Sequence, residues 1–281
     1  MRAATLDSAA AEGLTEDLHR MWNGSTVSVV LMTYAERRSI RGVIEGFFDT
    51  GLVDEVLVVD NNAEPGTADE VGKTSARVVR EPRQGYGCAT RRGLSEARCD
   101  LVVLAEPDGT FLPRDLPKLL VYSTECDAVF GTRTTRELIW HGANMSWFLR
   151  WGNWAVAKMI EALFNTSHLS DVGCTYRLLR RELAQHIAAN MKVDGNHAGI
   201  EVMLLTIVSG ARFVEVPVNY LPRVGKSSVT GDPMLALRVG LRMMQTVLRF
   251  RRSAPRRPAR APALRHPPAS AEPGAREQLP L

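Results

Sequence analysis

Short apolar runs alternate with polar-rimmed stretches through the first half of this chain. TVSVVLMTY (26–34), DEVLVVDNN (54–62), RVVREP (77–82), DLVVLAEPD (100–108) and CDAVFGTR (126–133) read as strands. Between them, ERRSIRGVIEGFFDTG (36–51), EPGTADEVGKTSA (64–76), QGYGCATRRGLSEARC (84–99) and LPRDLPKLLVYST (112–124) carry helical spacing. Strands that alternate with helices in this way predict right-handed β-α-β units on a parallel sheet. The strands are apolar on both faces, as a sheet covered by helices on both sides requires. Further on, 146–165 and 199–210 read as helices, 212–223 alternates like a strand, and SDVGCTYRLLRRELAQHIAAN (170–190) supplies an acid, a turn and a helix.

Ligands of such sheets bind at the carboxyl ends of the strands. Asp60 and Asp108 fall there, as do Thr33 and Glu36 just after the first strand. The fourth strand ends in Glu106-Pro107-Asp108 before the chain turns at Gly109. Carboxylates at i and i+2 on a regular strand point to opposite faces. The proline and the turn break that geometry and allow both to converge on one hard cation, Mg²⁺ or Mn²⁺. A capping role for these acids is the competing reading.

Composition sharpens the picture in two places. The 281 residues include 45% apolar ones, enough for a sizeable core. The net charge of +4 is concentrated: seven arginines and no acid lie between Arg249 and Arg265. Without that segment the chain is close to neutral or slightly acidic. From 253 onward Arg, Pro and Ala dominate, with seven of the fifteen prolines, so 253–281 is expected to be disordered. Residues 1–25 read as a flexible lead-in without the character of a signal peptide. The four cysteines lack metal-ligand spacing and read as reduced thiols of a cytoplasmic protein. No run of eighteen apolar residues predicts a membrane span.

The order SVVLMTYAE, VLVVDNN, QGYGCATRRG, LVVLAEPDGTF resembles glycosyltransferase family two. FGTR, DVGCTYRLLRRE and VEVPVNYLPRVGKSS are similar to the branch that contains dolichol-phosphate mannosyltransferase and bacterial polyprenyl-phosphate glycosyltransferases. The similarity runs from about residue 27 to 228. It implies an α/β GT-A fold, a Rossmann-like, mostly parallel sheet flanked by helices, in one catalytic domain at 26–230. It implies an inverting transfer from a UDP- or GDP-linked sugar.

The same resemblance assigns roles. Thr33, Tyr34 and Glu36 grip the nucleoside, and Asp60 contacts base or ribose. Gln84, Gly85 and Gly87 let backbone approach the nucleotide, and Arg91 reaches a phosphate. Glu106 and Asp108 hold the metal. Arg133 and Arg177 bind phosphate of donor or acceptor. Arg223, Lys226 and Ser227 sit in a loop that closes over the diphosphate. Asp171 is the acid of the acceptor side, either a catalytic base or a helix N-cap. Several positions depart from the family pattern. Met32 replaces a proline, Ala35 an asparagine, Asn61 the second of paired aspartates, and Glu106 an aspartate. Cys174-Thr175-Tyr176 replaces Ser-Gly-Phe. His141 and His197 have no sequence partners and read as structural.

Two segments favour a polyprenyl phosphate acceptor and peripheral contact with the inner face of a membrane. Trp147, Trp151, Trp154 and Lys158 share one helical face, and tryptophan beside cations suits an interface. An aromatic core helix is the alternative. In 231–252 Arg238, Arg242, Gln245 and Arg249 form one stripe, which reads with the arginine run through 265 as a helix on anionic lipid. A soluble hydroxyl acceptor in cell-envelope or secondary-metabolite biosynthesis is the alternative acceptor. A sugar nucleotidyltransferase would place a Gly-rich basic loop after the first strand, where TYAERRS stands. Specific nucleic-acid binding is not expected; the tail alone offers only phosphate contacts.

Overall fold

The computed structural model describes residues 24–143, 147–225 and 233–253. Its first strand, β1 (Val27–Thr33), is buried along its whole length. Side chains two apart face the same way, so Val27, Val29 and Leu31 join one core while Val30 and Met32 join the other. The remaining strands are β2 (Glu55–Asp60), β3 (Arg77–Arg80), β4 (Leu101–Ala105), β5 (Ala128–Thr132), β6 (Arg177–Arg180) and β7 (Phe213–Pro217). Val56 and Val58 of β2, and Leu101, Val103 and Ala105 of β4, split from their neighbours in the same way. Each such buried valine or leucine contributes about 1.5–3 kcal/mol of transfer free energy.

Among the described residues the seven strands form one sheet in the order β3-β2-β1-β4-β6-β5-β7. Pairing is parallel except around β6, which runs antiparallel to both β4 and β5. This is the mostly parallel α/β sheet the sequence predicts. The sequence reading passed over β6, which is only RLLR and offers two apolar residues between arginines. Its pairing with β4, Leu104 opposite Arg177, brings the 170–177 turn beside the Glu106 end.

Helices α1 (Ile40–Phe48), α2 (Thr67–Val71) and α4 (Leu116–Val121) follow β1, β2 and β4, while α3 (Tyr86–Glu96) follows β3. Ile40, Val43, Ile44 and Phe47 of α1 lie at i, i+3, i+4, i+7 and fill one core with Leu116, Leu119 and Leu120 of α4. On the opposite face α3, α5 (Trp147–Phe164), α6 (Arg181–Asn190), α7 (Ala198–Val208) and α8 (Pro233–Ser253) cover the sheet. The helix expected at 231–252 is therefore α8; Val247 is fully buried on it, and it packs on α5 and α7. The expectations for 1–23 and 254–281 lie outside the described residues, as do Lys226 and Ser227.

Candidate active site

The sheet has a topological switch point between β1 and β4, because β2 and β3 continue to one side of β1 and β4 lies on the other. Open α/β sheets bind ligands at such a point. Here it gathers Thr33, Tyr34 and Glu36 after β1 and Glu106 and Asp108 after β4. Pro107 is fixed by Ser39, whose Oγ donates to the Pro107 carbonyl at 2.7 Å.

Asp108 is buried. Its Oδ1 accepts from the Thr110 amide at 2.9 Å and the Thr110 hydroxyl at 2.6 Å. Its Oδ2 has no hydrogen-bond donor, although Arg223 Nη1 lies 3.1 Å away as an ion-pair partner. Glu106 Oε2 is 4.0 Å from the same Nη1. Burial, and then the neighbouring Asp108 charge, push the Glu106 carboxyl well above the ordinary carboxylate range. Two carboxylates that disfavour each other, one with an orphaned buried oxygen, fit a hard divalent cation. Among the described residues no third acid completes a closed cage. Mg²⁺ characteristically takes one or two carboxylates and draws its other oxygens from phosphates and water.

Glu36 is turned inward rather than toward the cleft. Its Oε2 accepts from the amides of Tyr34 at 2.8 Å and Ala35 at 2.9 Å and, more weakly, from the Thr33 hydroxyl at 3.4 Å. Its Oε1 accepts from Arg223 Nη2 at 2.8 Å. Glu36 thus shapes the first loop, Thr33 is buried beneath it, and Tyr34 is exposed at the rim. Asp60 Oδ1 accepts from the Ala63 amide at 2.8 Å and closes the turn after β2.

The glycine-rich loop has a different cause from the one expected. A Cβ at Gly87 would lie 1.9 Å from the Val193 carbonyl oxygen, and one at Gly85 2.3 Å from that of Asp194. The close approach comes from this chain's own 193–194 backbone, which also accepts the Gly87 amide at 2.9 Å. Gly87→Ala is therefore expected to cost about 1–3 kcal/mol through overpacking, read as a lower urea midpoint. An unchanged midpoint would mean that the 193–194 segment yields freely.

Arg91 is likewise occupied within the protein. It donates to the Met191 carbonyl at 2.9 Å and to Asp194 Oδ1 at 2.6 Å, rather than standing free for a phosphate. Gln84 donates to Asn61 Oδ1 at 3.2 Å and accepts from Asn62 at 3.1 Å. Sequence reasoning assigned no role to Asn61 and did not single out Asp194. Asn61 is buried, donates to the carbonyls of Glu81 and Arg83, and accepts from the Gly85 amide. The departure from paired aspartates was its signal. An aspartate in its place would set a carboxylate against two carbonyl oxygens.

In the turn before β6 Asp171 is buried and saturated. Oδ2 accepts from the Arg133 amide at 3.0 Å and Nε at 2.8 Å; Oδ1 accepts from Arg133 Nη2 at 2.9 Å and the Gly173 amide at 3.0 Å. A carboxylate offers about four lone-pair sites, and all four are used. Burial alone would raise its pKa; the charge and hydrogen bonds of Arg133 reverse the sign and hold it below the ordinary aspartate value. The Arg133 guanidinium also stacks on Tyr220, 4.9 Å from the ring centre. Glu215 was not anticipated: it accepts from the Ser170 amide and hydroxyl and from the Asp171 amide, and so fixes this turn.

Arg177 needs correction as a phosphate ligand. It is 1% exposed and donates to the carbonyls of Cys174, Val172 and Gly199, with its plane over Phe130. Burial lowers its pKa. With every contact inside the protein, it braces the turn before β6.

The tryptophan face of α5 is solvent-facing: Trp147, Trp151 and Trp154 are 74%, 55% and 46% exposed. The core-helix alternative is thereby excluded; Val156, Ala157 and Ile160 make the inward face. On α8, Arg238, Arg242, Gln245 and Arg249 are exposed, together with Leu241 and Leu248.

Comparison with known proteins agrees with this fold. The model of Glycosyl transferase family 2 matches residues 28–188, more than half of the chain. An uncharacterized glycosyltransferase of Mycobacterium tuberculosis is 32% identical over 212 residues, covering 74% of this chain and 92% of the relative. A dolichyl-phosphate hexose transferase of Haloferax volcanii is 28% identical, covering 74% and 87%. The crystal structure of glucosyl-3-phosphoglycerate synthase from Mycobacterium tuberculosis with Mn²⁺ and UDP-glucose superposes with a TM-score of 0.65 at 20% identity, over 91% of this chain and 86% of that one. The sheet is the GT-A, Rossmann-like fold, and the chain is a glycosyltransferase that belongs to family 2.

Proposed function

We propose that this glycosyltransferase moves a sugar from a nucleoside-diphosphate donor, UDP- or GDP-linked, to a polyprenyl phosphate, inverting the anomeric centre. The saturation of Asp171 carries the choice of acceptor. A hydroxyl acceptor must lose its proton to a base within hydrogen-bond reach, and this carboxylate has no free lone pair and a depressed pKa. A phosphate already carries negative charge near neutral pH and needs cations instead. In the reaction a phosphate oxygen forms the new bond to the anomeric carbon. The bond from that carbon to the diphosphate breaks, and its electron pair leaves with the diphosphate.

Glu106 and Asp108 would hold Mg²⁺ or Mn²⁺, whose charge stabilises the departing diphosphate. Arg223 supplies a cation at the same end of the sheet, and Arg133, held rigid by Asp171 and Tyr220, supplies one on the acceptor side. The Haloferax relative, named for dolichyl phosphate, supports a lipid acceptor. So do the exposed tryptophans of α5 and the cationic stripe of α8, on helices that pack together. Among the described residues no helix is long and apolar enough to cross a membrane. Peripheral attachment to the cytoplasmic face through these helices is the corresponding reading.

The test is nucleoside diphosphate release from UDP- and GDP-sugars with Mg²⁺ or Mn²⁺, with and without undecaprenyl phosphate in anionic vesicles. Lipid-dependent release is expected, together with weaker vesicle flotation of Trp151→Ala/Trp154→Ala. Turnover of a soluble hydroxyl acceptor with no response to lipid would establish the alternative reading, which the solved glucosyl-3-phosphoglycerate synthase makes concrete.

A further inference from the structure

Arg223 stands among three acids from two strand ends. Its Nη2 is 2.8 Å from Glu36 Oε1, and its Nη1 is 3.1 Å from Asp108 Oδ2 and 4.0 Å from Glu106 Oε2. The side chain is 22% exposed and Asp108 only 1%. The backbone around it is strapped down: the Leu221 amide donates to the Thr110 carbonyl, and the Val224 amide to the Asp108 carbonyl, each at 2.9 Å. Immediately beyond, Gly225 has φ +96°, a backbone conformation that favours glycine, and a Cβ there would meet nothing within 4 Å.

Two buried orphans meet at this contact. Asp108 Oδ2 lacks a donor, and Arg223 Nε lacks an acceptor. A guanidinium makes its best contacts in bidentate fork geometry. Here the fork is split between two acids, Glu36 and Asp108, and the Nε–H is unspent. Both orphans are matched by one exchange: a cation for Asp108, and phosphate oxygens for Arg223.

We infer that Arg223 is a built-in counter-cation of the ligand-free donor site, which a divalent ion must displace and which yields when a diphosphate offers it phosphate oxygens. The inference rests on the reading of Glu106 and Asp108 as metal ligands. The free enzyme then holds a lone divalent ion weakly, because the ion and the guanidinium compete for Asp108. A nucleoside diphosphate removes the competitor and brings its own oxygens, so metal and donor enter as a unit. Between turnovers the same contact shields three neighbouring carboxylates from one another.

The experiment is Mn²⁺ titration of the full chain without nucleotide, followed by the electron paramagnetic resonance of free Mn²⁺. Arg223→Gln is expected to bind Mn²⁺ about tenfold more tightly than wild type, the scale on which one opposite charge a few ångströms away biases a carboxylate. It is also expected to melt lower than wild type without metal and to gain more from Mn²⁺. Arg223→Lys keeps the charge but cannot span Glu36 and Asp108 with two nitrogens. It should bind severalfold more tightly, and carries the same comparison if the glutamine variant does not fold. Equal Mn²⁺ affinity in wild type and variant, or no nucleotide-free binding in any of them, overturns the inference. The underlying metal reading is checked apart from it: with UDP present, Asp108→Asn must lose Mn²⁺ binding. Retained binding there would sink the metal site itself.

Discussion

Asp108→Ala is expected to lower sugar transfer by about 10³-fold or more, the scale on which preorganised stabilisation of a developing charge acts. Its fold should persist. The variant loses the two Thr110 contacts at Oδ1, worth about 1 kcal/mol each. It also removes a buried carboxylate whose second oxygen has no donor and whose charge disfavours the neighbouring Glu106. These effects oppose one another, so the melting temperature should move little. Nucleoside diphosphate release and a circular dichroism melt, run on the same preparation, separate the two properties. Full activity of this variant with the metal chelated would show that the acids after β4 are caps and nothing more.

The second large effect is expected in stability. Asp171→Asn keeps the shape of the side chain but leaves Arg133 buried without its counter-charge, and breaking one partner of a buried pair costs about 3–5 kcal/mol. For a domain of this size that is a fall in melting temperature of roughly 10 °C. The pH dependence has a definite sign. Asp171 titrates below the ordinary aspartate value in the folded protein, so its contribution is complete above about pH 4 and drains away as the pH falls through the folded pKa. The asparagine variant should lack that acid limb. A variant with native stability and a turnover reduced a thousandfold would instead identify Asp171 as a base, and with it a hydroxyl acceptor.

Much of this architecture is legible in the sequence because it is local. A buried strand such as VSVVLMT shows itself as a run of apolar residues, and its end is where a ligand site belongs. The family motifs located Glu106, Asp108 and Arg223, which the fold does bring together. What escaped was set by partners far away in the chain. Arg177 looks like a free cation until the carbonyls of Val172 and Gly199 are seen around it. The glycines at 85 and 87 look like a nucleotide cradle until the 193–194 backbone is placed against them. Arg91 and Asp194 pair across 103 residues, and no local periodicity records such a pair. β6 was missed because four residues between a turn and a helix carry too little pattern to register.

The antiparallel strand β6 also limits how the molecule can be divided. It comes from the later part of the chain and is inserted between β4 and β5, both formed earlier. The strand end that carries Glu106 and Asp108 and the turn that carries Asp171 therefore sit on one interleaved ladder instead of on two modules joined by a linker. A fragment that stops before residue 177 leaves facing edges of β4 and β5 with unpaired backbone groups, the kind of surface that recruits foreign strands. Swapping the later half of the chain between related enzymes thus requires carrying β6 and the β4 end together, as one inheritable block.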